Sequence, residues 1–265
     1  MPVCIVLAVP RYPPEFRQGH TLTTAIKMDR LTKRYGSFVA LSDLTLDINQ
    51  GEIFGFLGHN GAGKTTTINI LTTLLAPTSG SASVCGCDVI SQSMKARGHI
   101  GYVPENVRLY DSMTALDNLL FFAKLSGVEK PRGRIDETLA ILDCPELSAK
   151  RVGEMSKGQR QRIGLAQAIL HRPDVLFLDE PASGLDPLGI KILRDLIVKL
   201  NRELGMTIFM NTHLISEVSK ICTSIAVLNQ GRLAYHDKIA GVLARFKDEE
   251  TLEELYLSLS SSKAA

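Results

Sequence analysis

One octapeptide limits this chain more than any other feature. Gly58-His59-Asn60-Gly61-Ala62-Gly63-Lys64-Thr65 sets a glycine, four residues and then Gly-Lys-Thr directly after the apolar run Ile53–Leu57. Thr66 follows, inside a stretch of helical character that opens at Lys64. Glycines let successive backbone N–H groups turn to one side and come close to an anion. The helix N-terminus adds partial positive charge at the same point. A lysine there can neutralise the outer phosphates of a nucleotide, and a threonine hydroxyl can ligate a divalent cation. Strand, glycine loop and helix in that order are the context that turns the pattern into a phosphate cradle.

A second strand completes the chemistry. Val175-Leu176-Phe177-Leu178-Asp179-Glu180 is an apolar run ending in two carboxylates. Buried parallel strands carry their functional groups at the carboxyl end. Asp179 is placed to hold Mg²⁺, directly or through water. Glu180, one residue on, points differently and can polarise a water for in-line attack on a γ-phosphate. Acidic residues also close many ordinary turns. The pair takes its meaning from the loop, whose chemistry needs a second metal ligand.

Bulk properties narrow the class. The formal charge is +2, from 30 basic and 28 acidic residues, so no broad cationic face for nucleic acid is expected. Cys4, Cys85, Cys87, Cys144 and Cys222 are odd in number and scattered, unlike a disulfide framework. They fit a reducing compartment. Cys85-Gly86-Cys87 has no second Cys/His pair at ligand spacing, so a metal site is not expected there. No apolar run approaches the roughly 18–20 residues that span a bilayer. Val3–Val9 is short and Arg11 follows it, the wrong order for a signal peptide. Any membrane role is therefore expected to come through a partner.

The pattern along the chain is mixed. Residues 1–24, with four prolines, read as a flexible extension. Strands are expected at Ile26–Leu31, Phe38–Leu41, Leu44–Ile48, Ile53–Leu57, Ser81–Val84 and His99–Val103. Lys64–Leu75 reads as a helix stopped by Pro77. Thr114 caps a helix running to Ser126, and Ile135–Leu142 continues in helical period. The stretch from about 105 to 158 is thus a helical insert. Helices at Gln159–Leu170, Leu188–Leu204 and Leu214–Ile221 then alternate with strands at Val175–Leu178 and Thr207–Asn211. This alternation implies a parallel sheet covered on both faces. Ile225–Leu228 and Arg232–Tyr235 read as a closing hairpin, and Leu252–Leu259, within a tail from 238 to 265, as a short amphipathic helix.

Further short motifs stand in a fixed order. Tyr35 precedes Gly36, well upstream of the loop. Met155-Ser156-Lys157-Gly158-Gln159 opens a helix before the acidic strand, Ser183-Gly184-Leu185-Asp186 follows that strand, and His213 follows strand Thr207–Asn211. Each is weak alone. Together, from about Ala25 to Asp237, they resemble the nucleotide-binding domain of the ABC transporter family. That resemblance implies an α/β P-loop NTPase fold, with a RecA-like parallel core, an antiparallel β subdomain and the inserted α-helical subdomain.

It also implies roles. Residues Gly58 to Thr66 would bind ATP, and Tyr35 would stack on its adenine. Ser156, Lys157, Gly158 and Gln159 would form the family signature, offered to the γ-phosphate held by a second copy of the chain. Asp186 would lie at the seam between copies, and His213 would hold the γ-phosphate and the attacking water. Thr65, Asp179 and Glu105 would serve Mg²⁺. The partners implied are a second copy and a separate transmembrane permease, with the chain peripheral on the cytoplasmic face.

Two departures from the family pattern matter. Met155 and Lys157 replace Leu and Gly of the usual Leu-Ser-Gly-Gly-Gln, and Glu105 in Gly101-Tyr102-Val103-Pro104-Glu105 replaces a usual Gln. Glu keeps an oxygen for the metal and adds negative charge. Pro77-Thr78-Ser79-Gly80 and Thr251-Leu252-Glu253-Glu254-Leu255-Tyr256 resemble the ABC-2 exporter-type ATPases. Gly58-His59-Asn60, Pro104-Glu105-Asn106-Val107 and Ser156-Lys157-Gly158 are similar to the ATPase of the copper-associated nitrous-oxide-reductase maturation transporter. The competing reading is a non-transport ABC ATPase acting on ribosome or DNA. Its usual marks, paired ATPase units, a long coiled coil or zinc modules, are not found.

Overall fold

The computed structural model describes residues 24–241. Strands β1 (Thr24–Tyr35), β2 (Phe38–Asn49), β4 (Ser79–Val84) and β5 (Cys87–Asp88) form an antiparallel sheet in the order β2-β1-β4-β5. Strands β3 (Ile53–Leu57), β6 (Ile100–Val103), β7 (Val175–Asp179), β8 (Thr207–Thr212), β9 (Ser224–Asn229) and β10 (Arg232–Lys238) form the second sheet, ordered β10-β9-β3-β8-β7-β6. Its pairs are parallel, apart from the β9–β10 hairpin. The helices are α1 (Lys64–Leu71), α2 (Ser93–Gly98), α3 (Ala115–Leu125), α4 (Pro131–Ile141), α5 (Lys157–Ile169), α6 (Pro187–Leu204) and α7 (Ile215–Ile221).

Side chains alternate across a strand, and here the alternation divides two cores. Ile53, Leu57, Leu176, Leu178, Ile208 and Met210 join a cluster with residues of α3 to α7. Phe54, Phe56, Val175, Phe177 and Phe209 point the other way, into a cluster shared with β1, β2, α1 and α2. The rings of Phe56 and Phe177 each lie within 5.4 Å of that of Phe209, forming the layer of this sheet that faces the antiparallel one within the shared cluster. β3, β7 and β8 are buried along their whole length. A strand buried on both faces leaves its two ends as the places where chemistry can meet solvent.

Several expected boundaries change. α1 stops at Leu71, not Leu75: Thr73 takes φ 64°, and the amides of Leu74 and Leu75 both return to the carbonyl of Asn69. The two short strands expected at 38–41 and 44–48 are one, β2, carried through a bulge with Asp43 at φ 52°. β5 and α2 were not anticipated; they are too short to show a period. Between Glu105 and Gly158 lie α3, α4 and two 3₁₀ turns, Pro145–Leu147 and Val152–Glu154. The helix expected at Leu252–Leu259, and nearly all of the extension at 1–24, fall outside the described residues. No described helix is long and apolar enough to cross a membrane.

Candidate active site

β3 delivers the chain to the glycine loop, and the loop delivers it to α1. Gly63 at φ 107° makes the last turn into the helix, and a Cβ there would meet the Ala40 carbonyl at 2.6 Å. Any other residue would have to displace backbone. His59 ties the loop outward: its Nδ1 is 2.7 Å from the Asn60 carbonyl and its Nε2 3.3 Å from Asn229 Oδ1. Lys64 is buried and folds back under its own loop, where Nζ donates to the carbonyls of Gly58 and His59. Thr65 is exposed on the first turn of α1, with Thr66 half-buried behind it.

The carboxyl end of β7 faces this loop. Asp179 is buried, and burial pushes its carboxyl above the usual carboxylate range, with Glu180 and Glu105 adding to the rise. Asn211 opposes the shift: it lies opposite Asp179 in the β7–β8 register and its Nδ2 donates to Asp179 Oδ1. Glu180 takes φ 45°, a left-handed backbone that costs strain outside glycine. Its Oε1 is 3.9 Å from Lys64 Nζ and its Oε2 2.8 Å from Nδ1 of exposed His213. Burial lowers the Lys64 ammonium, while Glu180 and Asp179 pull it back up. Lys64, Asp179, Glu180, Asn211 and His213 therefore form one linked cluster at the strand ends. Sequence reasoning missed Asn211, because only the strand register brings it to Asp179.

The donors fit a hard cation. Asp179 offers a carboxylate, Thr65 an exposed hydroxyl, and Asn211 Oδ1 is buried without a protein partner beside them. Such an all-oxygen set suits Mg²⁺. Glu105 is exposed, and the Ser183 hydroxyl donates to its Oε1 at 3.2 Å. A cavity of about 260 Å³ opens beside it, with Tyr102, Val107 and Asp179 in its walls. Ser183 opens the Ser183–Asp186 motif, but sequence spacing does not reveal its link to Glu105.

The remaining expected residues are not drawn into this cluster. Ser156 caps α5, accepting from the Gln159 amide, and Gln159 Oε1 accepts in return from the Ser156 amide. Lys157 reaches across to Gly184, so closely that a Cβ on Gly184 would lie 2.6 Å from its Nζ. Asp186 caps α6 through the Gly189 amide. Among the described residues, no hydrogen bond or ion pair joins Ser156, Lys157, Gly158, Gln159 or Asp186 to the loop or to the acidic end of β7. Ser156 and Asp186 are exposed. Tyr35, at the β1–β2 turn, is also exposed, with Lys33 Nζ 5.2 Å from its ring centroid.

Comparison with known proteins decides the family. The model described as ABC transporter matches residues 41–183. A bacitracin transport ATP-binding protein of Bacillus licheniformis is 42% identical over 212 residues, 80% of this chain and 69% of that protein. The chain belongs to the ABC transporter family. A second model, described as an AAA domain and putative AbiEii toxin, matches residues 148–219, which hold α5, β7, α6 and β8. A probable multidrug ABC transporter ATP-binding protein of Escherichia coli is 36% identical, over 91% of this chain and 43% of that protein.

Solved structures agree on the fold. A component of a Clostridium perfringens ABC transporter complex superposes with TM-score 0.79, 29% identity, 89% of this chain and 95% of the other. A dimeric bacterial ABC transporter cassette gives 0.72, 28%, 81% and 98%. A related cassette structure holds ADP and phosphate after hydrolysis. The fold is that of the P-loop NTPases, and the chain is an ATP-binding, ATP-hydrolysing subunit of an ABC transporter.

Proposed function

We propose that two copies of this chain close over two Mg–ATP and drive an exporter-type permease from the cytoplasmic face of the membrane. The observation that carries this reading is the division just described. Phosphate loop, acid pair and histidine are gathered in one cluster, while the Ser156 tip of α5 and Asp186 are exposed and unconnected to it. A second copy would bring those tips to the γ-phosphate. A dimeric cassette among the related structures supports the pairing of two copies.

In this reading the amides of Gly58 to Thr66 wrap the phosphates, and Lys64 gives up its loop carbonyls to hold the outer two. Tyr35 takes the adenine on the ring face away from Lys33. Thr65 and Asp179, with Glu105, would hold Mg²⁺, which would neutralise phosphate charge when bound. Glu180 accepts a proton from the attacking water, and His213 orients Glu180 and the γ-phosphate. The helix N-terminus at Ser156, with the Gly158 amide, contacts the γ-phosphate of the facing copy. The named relatives, a bacitracin and a multidrug transport protein, favour export.

Glu180→Gln tests the reading. The variant should bind ATP, turn over at least about 10²-fold more slowly, and run as a dimer only with ATP. Wild-type protein extracted in detergent should carry a membrane-spanning partner. Recovery of ribosomes or DNA in its place would move the chain to the non-transport ABC ATPases.

A further inference from the structure

The fold assembles a second set of ligand-type side chains at the other end of the parallel sheet. Cys85 sits in the two-residue turn between β4 and β5, His99 follows α2 and leads into β6, and Asp174 immediately precedes β7. One ligand atom from each lies within 4.8 Å of those of the other two. His99 Nδ1 is 2.6 Å from Asp174 Oδ2. The backbone beneath is tied as well, since the amides of Asp174 and Val175 both donate to the His99 carbonyl. Three chain segments far apart in sequence thus meet at one point. Asp174 and Asp179 are five residues apart along β7, about 16 Å, so this cluster is separate from the ATP site.

Three features make the cluster a built one. Cys85 takes φ 49° and Gly86 φ 75°, a turn in which Asn-Gly or Gly-Gly is the low-strain choice, yet a cysteine is placed there. The thiol and imidazole are half-buried and the carboxylate faces solvent, which leaves a way in for an ion. Burial, then the charge of Asp174 and lastly Cys87 across the turn, push the Cys85 thiol up to about 12.

We propose that Cys85, His99 and Asp174 bind a borderline-soft divalent cation of the zinc class, which staples the β4–β5 turn to the edge of the catalytic sheet. One thiolate, one imidazole and one carboxylate are the donors such an ion selects. Tetrahedral donors at about 2.0–2.3 Å from an ion lie roughly 3.3–3.7 Å apart. The ion takes the place of the proton between His99 Nδ1 and Asp174 Oδ2, which moves to Nε2 of the neutral ring or, from a charged ring, leaves to solvent; it opens that pair by under about 1 Å and draws Cys85 inward. A water completes the fourth position. The thiol proton leaves to solvent as the Cys85–metal bond forms.

The spacing of Cys85-Gly86-Cys87 gave no hint of this, because the other ligands come from the starts of two strands and not from a second cysteine pair.

Titration of the reduced, chelator-treated full-length chain with Co²⁺ tests the assignment. One ion per chain should bind, with a thiolate-to-cobalt charge-transfer band and tetrahedral d–d bands, and Zn²⁺ should displace it and raise the thermal midpoint. Cys85→Ser should abolish the charge-transfer band. His99→Gln and Asp174→Asn, which keep the shapes of their parents, should each weaken binding at least about tenfold. Cys144→Ser and Cys222→Ser should leave the spectrum unchanged. Absence of the bands in the wild type, or their survival in Cys85→Ser, would overturn the site.

Discussion

Asp179 is held in a place that disfavours its own charge. Its folded carboxyl is raised by burial, Glu180 and Glu105. Below the ordinary carboxylate value it is protonated in both folded and unfolded chains and costs nothing. As pH climbs from that value through the raised one, the unfolded chain ionises first and stability falls. Asp179→Asn should therefore raise the thermal midpoint of the nucleotide-free protein at neutral pH, with the gap closing as pH falls into the carboxylate range. A domain of this size moves about 2–4 °C per kcal/mol. An unchanged midpoint at neutral pH would contradict the burial account. Glu105, whose Oε1 accepts from the Ser183 hydroxyl, acts on the same carboxylate through its charge. Glu105→Gln should keep ATPase activity but need several-fold more Mg²⁺ for half-maximal rate; superimposable Mg²⁺ titrations would argue against a metal role. At this scale Lys64, Asp179 and Glu180 were legible because their meaning lies in local spacing. Asn211 was not, since it meets Asp179 only through strand register.

Among the elements, those with chemical punctuation were the easiest to read. Thr114 caps α3 in a reciprocal box with Asp117, and Ser156 does the same for α5 with Gln159. Thr114→Ala should destabilise the protein by about 1 kcal/mol, read by urea unfolding, with no change in ATP affinity. A loss of ATP affinity in that variant would mean that the helical insert shapes the nucleotide site. α1 was read too long, because Thr72 to Leu75 looks helical by composition while the backbone turns away at Thr73. β5 and α2, with two and six residues, carry too little pattern to be seen in advance. Yet these short pieces carry Cys85 and His99 together at the rim of the sheet.

The whole molecule joins two sheets through one aromatic layer, Phe54, Phe56, Phe177 and Phe209. Phe209→Ala should cost about 3–5 kcal/mol, out of a typical total of about 5–15, and should lower the thermal midpoint sharply in circular dichroism. The parallel core and its helical insert could be read from alternation along the chain. In the proposed dimer the other half of each site comes from a second copy. Ser156 and Lys64 would serve the same reaction, although among the described residues no hydrogen bond or ion pair connects them within one copy. Mixing two inactive variants is the most direct test. Lys64→Ala lacks a working loop and keeps its Ser156 tip; Ser156→Arg keeps the loop and blocks the tip. Each alone should be nearly inactive. Combined, they should recover ATPase activity well above either, because mixed dimers rebuild one intact site from two chains. A mixture as inactive as its components, under conditions where mixed dimers form, would contradict the account.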